Sequence, residues 1–199
     1  MIGLVNYEAG NMSSVSNALS TIGAPFIVSG DAGVLAQCNG IILPGVGAAA
    51  GAMASLQRQA LAGFLSKLTI PVLGICLGMQ ILYKESEEGM TACLAVLPGT
   101  VKKFTGNASK VPHMGWNLVE TLAKNPLLGN PRGEYFYFAH SYYVEVDEYT
   151  AAVARDGDTF AAVVVKDNYF GVQFHPEKSG VAGLNLLRNF TSICKSFRR

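Results

Sequence analysis

Short apolar runs alternate with helix-like stretches through the first half of the chain. The runs predict strands at residues 2–7, 25–29, 41–43 and 72–75. Between them, the spacing of apolar residues predicts helices near residues 11–22, 31–37 and 51–68. The longest of these has apolar residues at steps of three and four, which is the period of a half-buried helix: Met53, Leu56, Ala60, Phe64 and Leu68. Strands that alternate with helices in this way predict a parallel sheet with helices on its faces.

Beyond about residue 94, strand-like runs follow one another closely, without long helical stretches between them. They lie at residues 111–120, 135–146, 151–154, 160–166 and 170–174. We expect these runs to form antiparallel or mixed pairs packed on the parallel core. Apolar residues that share one face predict a closing helix over 182–197. No repeat or linker divides the chain, so we expect one α/β domain over residues 1–199.

Composition and charge exclude several classes of protein. Of 199 residues, 50% are hydrophobic and 15% are charged, which is typical of a globular protein with a sizeable core. The formal net charge is +1 and no basic stripe is visible, which argues against nucleic acid as a main partner. No apolar run approaches the roughly 18 residues of a membrane span, and no signal-peptide pattern precedes the first strand. We therefore expect a cytoplasmic protein without membrane contact.

One of the four cysteines lies in a position that favours chemistry. Cys76 follows the predicted strand at 72–75 and precedes a helix-like stretch that begins near Leu77. A nucleophile at such a turn is lifted out of the sheet, over a helix N-terminus that favours a thiolate, and Gly74 and Gly78 leave room for the turn. Considered alone, Cys76 is more typical of a small buried hydrophobe. Without CxxC spacing, the other cysteines suggest neither a zinc site nor a redox pair, and we expect them to be inert packing: Cys38, Cys93 and Cys194.

The chain contains three histidines that could act as a base: His113, His140 and His175. Only His175 comes at the end of a strand-like run with a carboxylate, Glu177, two residues later. Residues at i and i+2 share one face of an extended chain, so Glu177 can hold the imidazole in one tautomer. Together, Cys76, His175 and Glu177 predict a triad of nucleophile, base and orienting carboxylate.

Attack of a thiolate on a carboxamide would also require donors for the resulting oxyanion. The backbone N–H of Leu77 is one candidate, and the glycine-rich loop at 44–47 offers a second. Because parallel strands end at one edge of a sheet, the loop after the strand at 41–43 should lie near Cys76. Alternatively, the glycines of this loop only shape a strand-to-helix turn.

The segments Gly74-Ile75-Cys76-Leu77-Gly78 and His175-Pro176-Glu177 resemble the signatures of the class I, or triad-type, glutamine amidotransferases. Within that superfamily, blocks at residues 6–11, 43–47, 112–117 and 175–180 are similar to the glutaminase subunits of imidazole glycerol phosphate synthases. The resemblance covers nearly the whole chain. It implies the amidotransferase fold, with a mostly parallel central sheet, flanking helices and an additional antiparallel or mixed strand region. It assigns the triad roles to Cys76, His175 and Glu177, and the oxyanion hole to Gly45, Val46 and Leu77.

The same resemblance implies a glutamine pocket and a surface that faces a partner. The pocket would comprise Gln80, Glu88, His140, Ser141 and Tyr142. The partner surface would comprise Trp116, Asn117, Tyr137 and Lys178, facing a synthase subunit that is a (β/α)8 barrel. From the residues alone, the acidic cluster at 85–88 is more typical of a solvated helix end, and the aromatic residues are more typical of strand packing.

The function that the resemblance implies is glutamine hydrolysis. A Cys76 thioester would yield glutamate and ammonia, and the barrel subunit of the heterodimer would use the ammonia to make imidazole glycerol phosphate and AICAR in histidine biosynthesis. No cofactor or metal is expected. Three alternatives remain: a glutaminase for another synthase, such as one of surface-sugar biosynthesis; a cysteine peptidase of similar fold, which would not need a glutamine pocket; and a catalytically silent interaction subunit.

Overall fold

The computed structural model describes residues 1–7, 11–105, 110–122, 124–129 and 133–197. Residues 8–10, which belong to the sequence block at 6–11, therefore lie outside the described residues. The first half of the chain contains β1 (Ile2–Val5), α1 (Met12–Thr21), β2 (Phe26–Ser29), α2 (Ala32–Leu35), β3 (Gly40–Leu43), α3 (Ala49–Arg58), α4 (Ala62–Leu65), β4 (Val72–Ile75) and α5 (Leu77–Gln80). The second half contains β5 (Glu85–Ser86), β6 (Thr91–Ala92), β7 (Thr100–Lys103), β8 (His113–Thr121), β9 (Glu134–His140), β10 (Tyr142–Tyr143), β11 (Thr150–Asp156), β12 (Asp158–Lys166), β13 (Tyr169–Val172) and α6 (Gly180–Ser196). Short 3₁₀ helices lie at Glu88–Met90 and Pro176–Lys178.

A mixed sheet forms the centre of the molecule. Across the described ranges it has nine strands in the order β2-β1-β3-β4-β13-β12-β11-β8-β9. The strands from β2 to β13 in this order are parallel, which confirms the prediction from the alternating first half. From β12 to β9 each pair is antiparallel, so the second half continues the sheet edge to edge instead of packing on it.

Helices cover both faces of this sheet. Neighbouring residues of a strand point to opposite faces, so adjacent residues of β4 pack against different helices. On one face, Leu73 belongs to a buried cluster that includes Leu19 of α1 and Phe190 of α6. On the other face, Val72 belongs to a second cluster, together with Leu56 of α3 and other residues of α2 and α4. The central parallel strands are thus buried on both sides, and their carboxyl ends meet at one edge of the sheet.

The predicted helix over 51–68 is wrong in one respect, because the chain forms two helices there. Ala60, which the apolar period placed on the buried face, is exposed and has a left-handed φ of 54°. The amide of Leu61 then donates to the Leu56 carbonyl at 2.8 Å, which ends α3 and allows α4 to begin at Ala62.

The predicted strand over 135–146 is also divided. It breaks at Ser141 into β9 of the large sheet and β10 of a second sheet. The second sheet has four strands within the described residues, in the order β10-β7-β5-β6, and the sequence did not predict it. This sheet brings the acidic segment after β5 close to the end of β9.

Candidate active site

Cys76 occupies the turn between β4 and α5. Its backbone has φ 54° and ψ −110°, a conformation that costs free energy for a residue with a Cβ and that often marks functional sites. The Cys76 amide donates to the Val172 carbonyl of β13 at 2.8 Å, which fixes the turn against the neighbouring strand. The helix beyond it, α5, has only four residues, so the dipole available to stabilise a thiolate is smaller than that of a long helix.

The loop at 44–47 packs directly on the first turn of α5. A Cβ on Gly78 would overlap the carbonyl oxygen of Leu43, and a Cβ on Gly45 would lie 2.6 Å from the Gly78 nitrogen. Both positions therefore require glycine. Strand β3 is paired with β4, with Leu43 opposite Gly74, so the two carboxyl ends meet as the sequence predicted.

A buried tyrosine holds this loop from below, and sequence reasoning gave it no role. The Tyr7 hydroxyl donates to the Pro44 carbonyl at 2.6 Å. Burial, together with the nearby Cys76, raises the pKa of Tyr7 above its ordinary value, so the phenol keeps its proton and remains a donor. Tyr7 lies in the block at 6–11, but its spacing from the loop gave no signal of the contact.

His175 and Glu177 form a buried pair after β13. The imidazole Nδ1 lies 2.8 Å from Oε1 of Glu177, and the two side chains are 3% and 1% exposed. Burial alone lowers the pKa of His175, but hydrogen bonds and charge interactions with Cys76 and Glu177 outweigh it and raise the pKa to about 10. His175 is therefore protonated at neutral pH, between a carboxylate and the sulfur of Cys76.

Backbone contacts with the edge strand β9 hold His175 in place. The His175 amide donates to the Tyr137 carbonyl at 2.8 Å. The Ser179 hydroxyl accepts from the Tyr137 amide at 2.9 Å and donates to the His175 carbonyl at 2.6 Å. Ser179 is buried, and it closes a ring of hydrogen bonds around the backbone of the histidine. This contact was not anticipated from the sequence.

The sulfur of Cys76 has two further polar neighbours. The Gln173 side-chain amide lies 3.7 Å from Sγ, and the Ala139 carbonyl lies 3.8 Å from it. Gln173 is fully buried and accepts from the Gln80 amide at 3.0 Å. The one signal for Gln173 in the sequence was a polar residue inside an apolar run, two positions before His175.

A cleft of about 350 Å³ opens beside Cys76, a volume within the usual range of small-molecule sites. All the residues expected in the glutamine pocket line it: Gln80, Glu88, His140, Ser141 and Tyr142. Val46, Leu77, His175 and Lys178 line it as well. Gly45 and Glu177 are not among the lining residues: Gly45 packs on the first turn of α5, and Glu177 is bonded to His175. In the ranges described, no group of three or more His, Cys, Asp or Glu side chains could hold a metal ion, and no helix is long and apolar enough to cross a membrane.

Comparison with known proteins assigns the chain to a family. The family model described as "Glutamine amidotransferase class-I" matches residues 5–194. The chain belongs to this family. It is 45% identical to the imidazole glycerol phosphate synthase subunit HisH of Idiomarina loihiensis, with 96% of each chain covered. It is 46% identical to the subunit HisH of Geobacillus thermodenitrificans, with 97% of this chain and 96% of that one covered. The solved structure of PurLQS from Thermotoga maritima has the same fold, with a TM-score of 0.72 at 22% identity over 96% of this chain and 97% of that one.

In this class I amidotransferase, Glu88 has a contact that the sequence did not predict. Its Oε2 accepts from the amide of Ala49, the first residue of α3, at 2.7 Å. The carboxylate thereby caps the helix that follows the loop at 44–47, since α3 has no side-chain cap at Ala48. Glu88 thus connects the loop beside Cys76 to the wall of the cleft, and it is not part of a solvated helix end.

Three of the four residues expected on the partner surface of the amidotransferase lie together. Trp116 and Tyr137 face each other across β8 and β9, with ring centroids 6.3 Å apart, and the Lys178 ammonium lies 5.8 Å from the Tyr137 ring. Trp116 is 56% exposed. Asn117 points to the other side of β8, because adjacent residues of a strand alternate, and its amide donates to the Arg155 carbonyl at 2.8 Å.

Proposed function

We propose that this chain is the glutaminase subunit of an imidazole glycerol phosphate synthase. It hydrolyses L-glutamine to glutamate and ammonia and delivers the ammonia to a barrel-shaped synthase subunit in a heterodimer. The observation that carries the proposal is the buried Cys76–His175–Glu177 arrangement beside a cleft of about 350 Å³, in a chain of this family. The similarity to subunits named HisH over nearly the full length supports the synthase assignment. The cytoplasmic location and the single domain over 1–199 remain predictions.

In the first half of the proposed reaction, the Cys76 thiolate attacks the side-chain carboxamide carbon of glutamine. The carbonyl electrons move to oxygen, and a tetrahedral oxyanion forms. His175 then gives its proton to the amide nitrogen, the carbon–nitrogen bond breaks, and ammonia leaves a glutamyl thioester on Cys76. Glu177 stays ionised and stabilises the imidazolium throughout.

In the second half, a water molecule attacks the thioester and His175 takes its proton. The second tetrahedral intermediate collapses, the carbon–sulfur bond breaks, and glutamate leaves. The Cys76 thiolate and the protonated His175 are then restored. In each half the oxyanion would accept hydrogen bonds from the backbone of Leu77 and from the loop of Gly45 and Val46, which Tyr7 holds against α5.

The substrate contacts follow from the lining of the cleft. Glu88 provides a negative charge for the α-ammonium group of glutamine. Ser141 and Tyr142 offer polar groups for the remainder of the amino acid, since both line the same cleft. Gln80 is held by the Tyr142 carbonyl at 2.9 Å and supports that wall.

The expected partner surface lies beside the cleft from which ammonia would leave, since Lys178 both lines the cleft and contacts the Tyr137 ring. Ammonia that reached bulk water would acquire a proton and lose its nucleophilicity, so a second protein must cover the cleft. Trp116 and Tyr137 provide aromatic anchors next to Lys178. Asn117 would contribute through the position of β8 instead of through its own side chain, which is already bonded to Arg155.

The test measures glutamate release by the chain with and without a cognate cyclase barrel subunit. Replacing Cys76 by Ala should abolish glutamate release in the complex, while the barrel subunit should still make product from added ammonium salts. Replacement of the half-buried Cys93 by Ala is the matched control and should retain the activity. Substantial glutamine turnover in Cys76→Ala would refute the mechanism. Stimulation only by a synthase of another pathway would favour the alternative of a paralogous enzyme, and no release with any partner would favour a silent subunit.

A further inference from the structure

Two buried histidines outside the triad lie against each other at the wall of the cleft, where His140 is one of the lining residues. His113 of β8 and His140 of β9 are opposite each other in the sheet, and both are more than nine-tenths buried. Nδ1 of His113 lies 3.0 Å from Nε2 of His140. Aromatic rings surround the pair, with Phe160 5.8 Å from His113 and 5.2 Å from His140 between ring centroids. The proposed hydrolysis uses neither ring.

The hydrogen bonds of this pair have a defined direction, because a backbone carbonyl lies at each end. At one end, the Arg155 carbonyl can only accept, so the Asn117 amide nitrogen must face it at 2.8 Å. The same nitrogen lies 3.2 Å from Nε2 of His113, which must therefore be a bare acceptor. At the other end, Nδ1 of His140 lies 2.8 Å from the Tyr142 carbonyl and must carry the hydrogen.

The two ends require the same arrangement in the middle. With Nε2 bare, the neutral His113 carries its hydrogen on Nδ1 and donates to Nε2 of His140. Because the neutral His140 carries its hydrogen on Nδ1, its Nε2 has no hydrogen and can accept this bond. A second proton on either ring would bring two donors face to face. The pKa values are consistent with two neutral rings. Burial lowers the pKa of His140 to about 3, and it lowers the pKa of His113 despite the opposing charge of Asp156.

We propose that Asn117, His113, His140 and the Tyr142 carbonyl form one directional hydrogen-bond chain that positions the wall of the glutamine pocket. The inference rests on the proposed function for the identity of the substrate, but not for the hydrogen-bond chain itself. His113 and Asn117 are positioning residues, because they act through His140.

The position of the chain explains how it acts on the pocket. The strand breaks at Ser141, and the bond from His140 to the Tyr142 carbonyl spans this break. The same carbonyl accepts from Gln80 at 2.9 Å. Two side chains, those of His140 and Gln80, therefore fix the Tyr142 carbonyl and with it the backbone at the break. Residues 139–142, which include this break, line the cleft. Loss of the His113 donor would leave Nε2 of His140 unpaired and loosen the break.

The direct test is nitrogen NMR of the full chain with ¹⁵N-labelled histidine, since the chain contains only three histidines. We expect His113 and His140 each to show a protonated Nδ1 and a bare Nε2, unchanged through the neutral pH range. His175 should be doubly protonated. An Nε2-protonated tautomer at either position, or a titration of either ring near neutral pH, would overturn the proposal. This measurement needs no enzymatic activity, so its outcome is independent of the proposed function.

Replacing Asn117 by Asp tests the direction of the chain. A carboxylate can only accept, so Nε2 of His113 should gain a proton and its resonance should move from the bare to the protonated range. The same change at Asn185, exposed on α6, is the matched control and should leave all three histidines as they were. An unchanged His113 spectrum in Asn117→Asp would overturn the assignment.

Kinetics of the complex with the barrel subunit test the positioning role. His113→Ala should raise the KM for glutamine about tenfold, the effect of leaving one buried acceptor unpaired, while kcat stays close to that of the wild type. His113→Asn should recover most of this loss, because its amide nitrogen can donate near the position of Nδ1. A fall in kcat with an unchanged KM, or no recovery in His113→Asn, would refute the role.

Discussion

Replacing Glu177 by Gln would remove one negative charge from the proposed triad and keep its shape. The amide oxygen of Gln can take the position of Oε1 and accept from Nδ1 of His175, which are now 2.8 Å apart. Its amide nitrogen then takes the position of Oε2, which has no hydrogen-bond partner among the residues that the structure describes. The substitution therefore separates the charge of Glu177 from its role in orienting the imidazole.

The structure allows the size of the effect to be estimated. Because the two side chains are 3% and 1% exposed, water screens their interaction little. In the variant the hydrogen bond to His175 has one charged partner instead of two, and charge on a partner changes the contribution of a hydrogen bond from about 0.5–1.5 to about 1.5–3 kcal/mol. The difference of about 1–2 kcal/mol corresponds to a fall in kcat of about 5- to 30-fold. His175→Ala removes the base itself and should cost considerably more.

The charge of Glu177 should also affect the reactivity of Cys76 towards an alkylating agent. Glu177 is one of the groups that raise the pKa of His175 to about 10, so this pKa should be lower in Glu177→Gln. In the wild type, His175 keeps its positive charge beside Cys76 across the neutral range, so the effect of this charge on alkylation should vary little with pH there. In the variant, His175 should lose its proton at a lower pH, so the positive charge that favours a thiolate is smaller and alkylation should be slower at neutral pH.

Two assays measure these effects: glutamate release by the complex at saturating glutamine, and the rate of Cys76 alkylation against pH. Replacement of the exposed Glu148 by Gln is the matched control and should change neither. A Glu177→Gln variant that loses as much activity as His175→Ala would show that the carboxylate does more than stabilise the imidazolium. A variant with full activity and an unchanged alkylation profile would refute the role assigned to its charge.

Further predictions concern other parts of the site. Ser179→Ala should lower kcat about tenfold through the loss of the His175 clamp, as measured by glutamate release, with Ser179→Thr recovering activity. Trp116→Ala should weaken binding of the barrel subunit by about 2 kcal/mol or more, as measured by titration calorimetry, whereas Phe197→Ala should not. Gly78→Ala should lower the melting temperature strongly, because its Cβ would overlap the Leu43 carbonyl. The fold raises the pKa of His175 from 6.5 to about 10, so the stability gained from its protonation is complete below about pH 6.5 and is lost as the pH rises towards about 10. The urea midpoint of unfolding should therefore fall over this range.

The sequence predicted elements best where burial alone decides them. Strand β4 has the predicted bounds, Val72–Ile75, because it is buried on both faces and reads as one apolar run. The break at Ala60 had no such signal, since neither glycine nor proline marks it and a tertiary arrangement overrides the apolar period. The second sheet was missed because β5, β6 and β10 have two residues each, which is too short for a period to be read.

The supporting residues of the site were missed for a different reason. Tyr7 bonds to a residue 37 positions away, and Gln173 contacts the sulfur of a residue 97 positions away. Such contacts depend on which strands become neighbours, and the spacing of residues along the chain does not contain that information. The pair of His175 and Glu177 could be predicted from the sequence, because its two members lie two positions apart on extended chain.

The order of strands in the sheet is what brings the proposed nucleophile and base together. Strand β13 lies beside β4 with Val172 opposite Ile75, although about half of the chain separates them. Cys76 is the next residue after Ile75, and His175 follows three residues after Val172, so both emerge at the same edge of the sheet. Strand β3 lies on the other side of β4 and brings the loop of Gly45 and Val46 to the same place. Three parallel strands that are neighbours in space but not all in sequence therefore position the nucleophile, the base and the proposed oxyanion donors. A substitution that shifted the pairing of β13 with β4 would separate His175 from Cys76 while leaving each local motif intact.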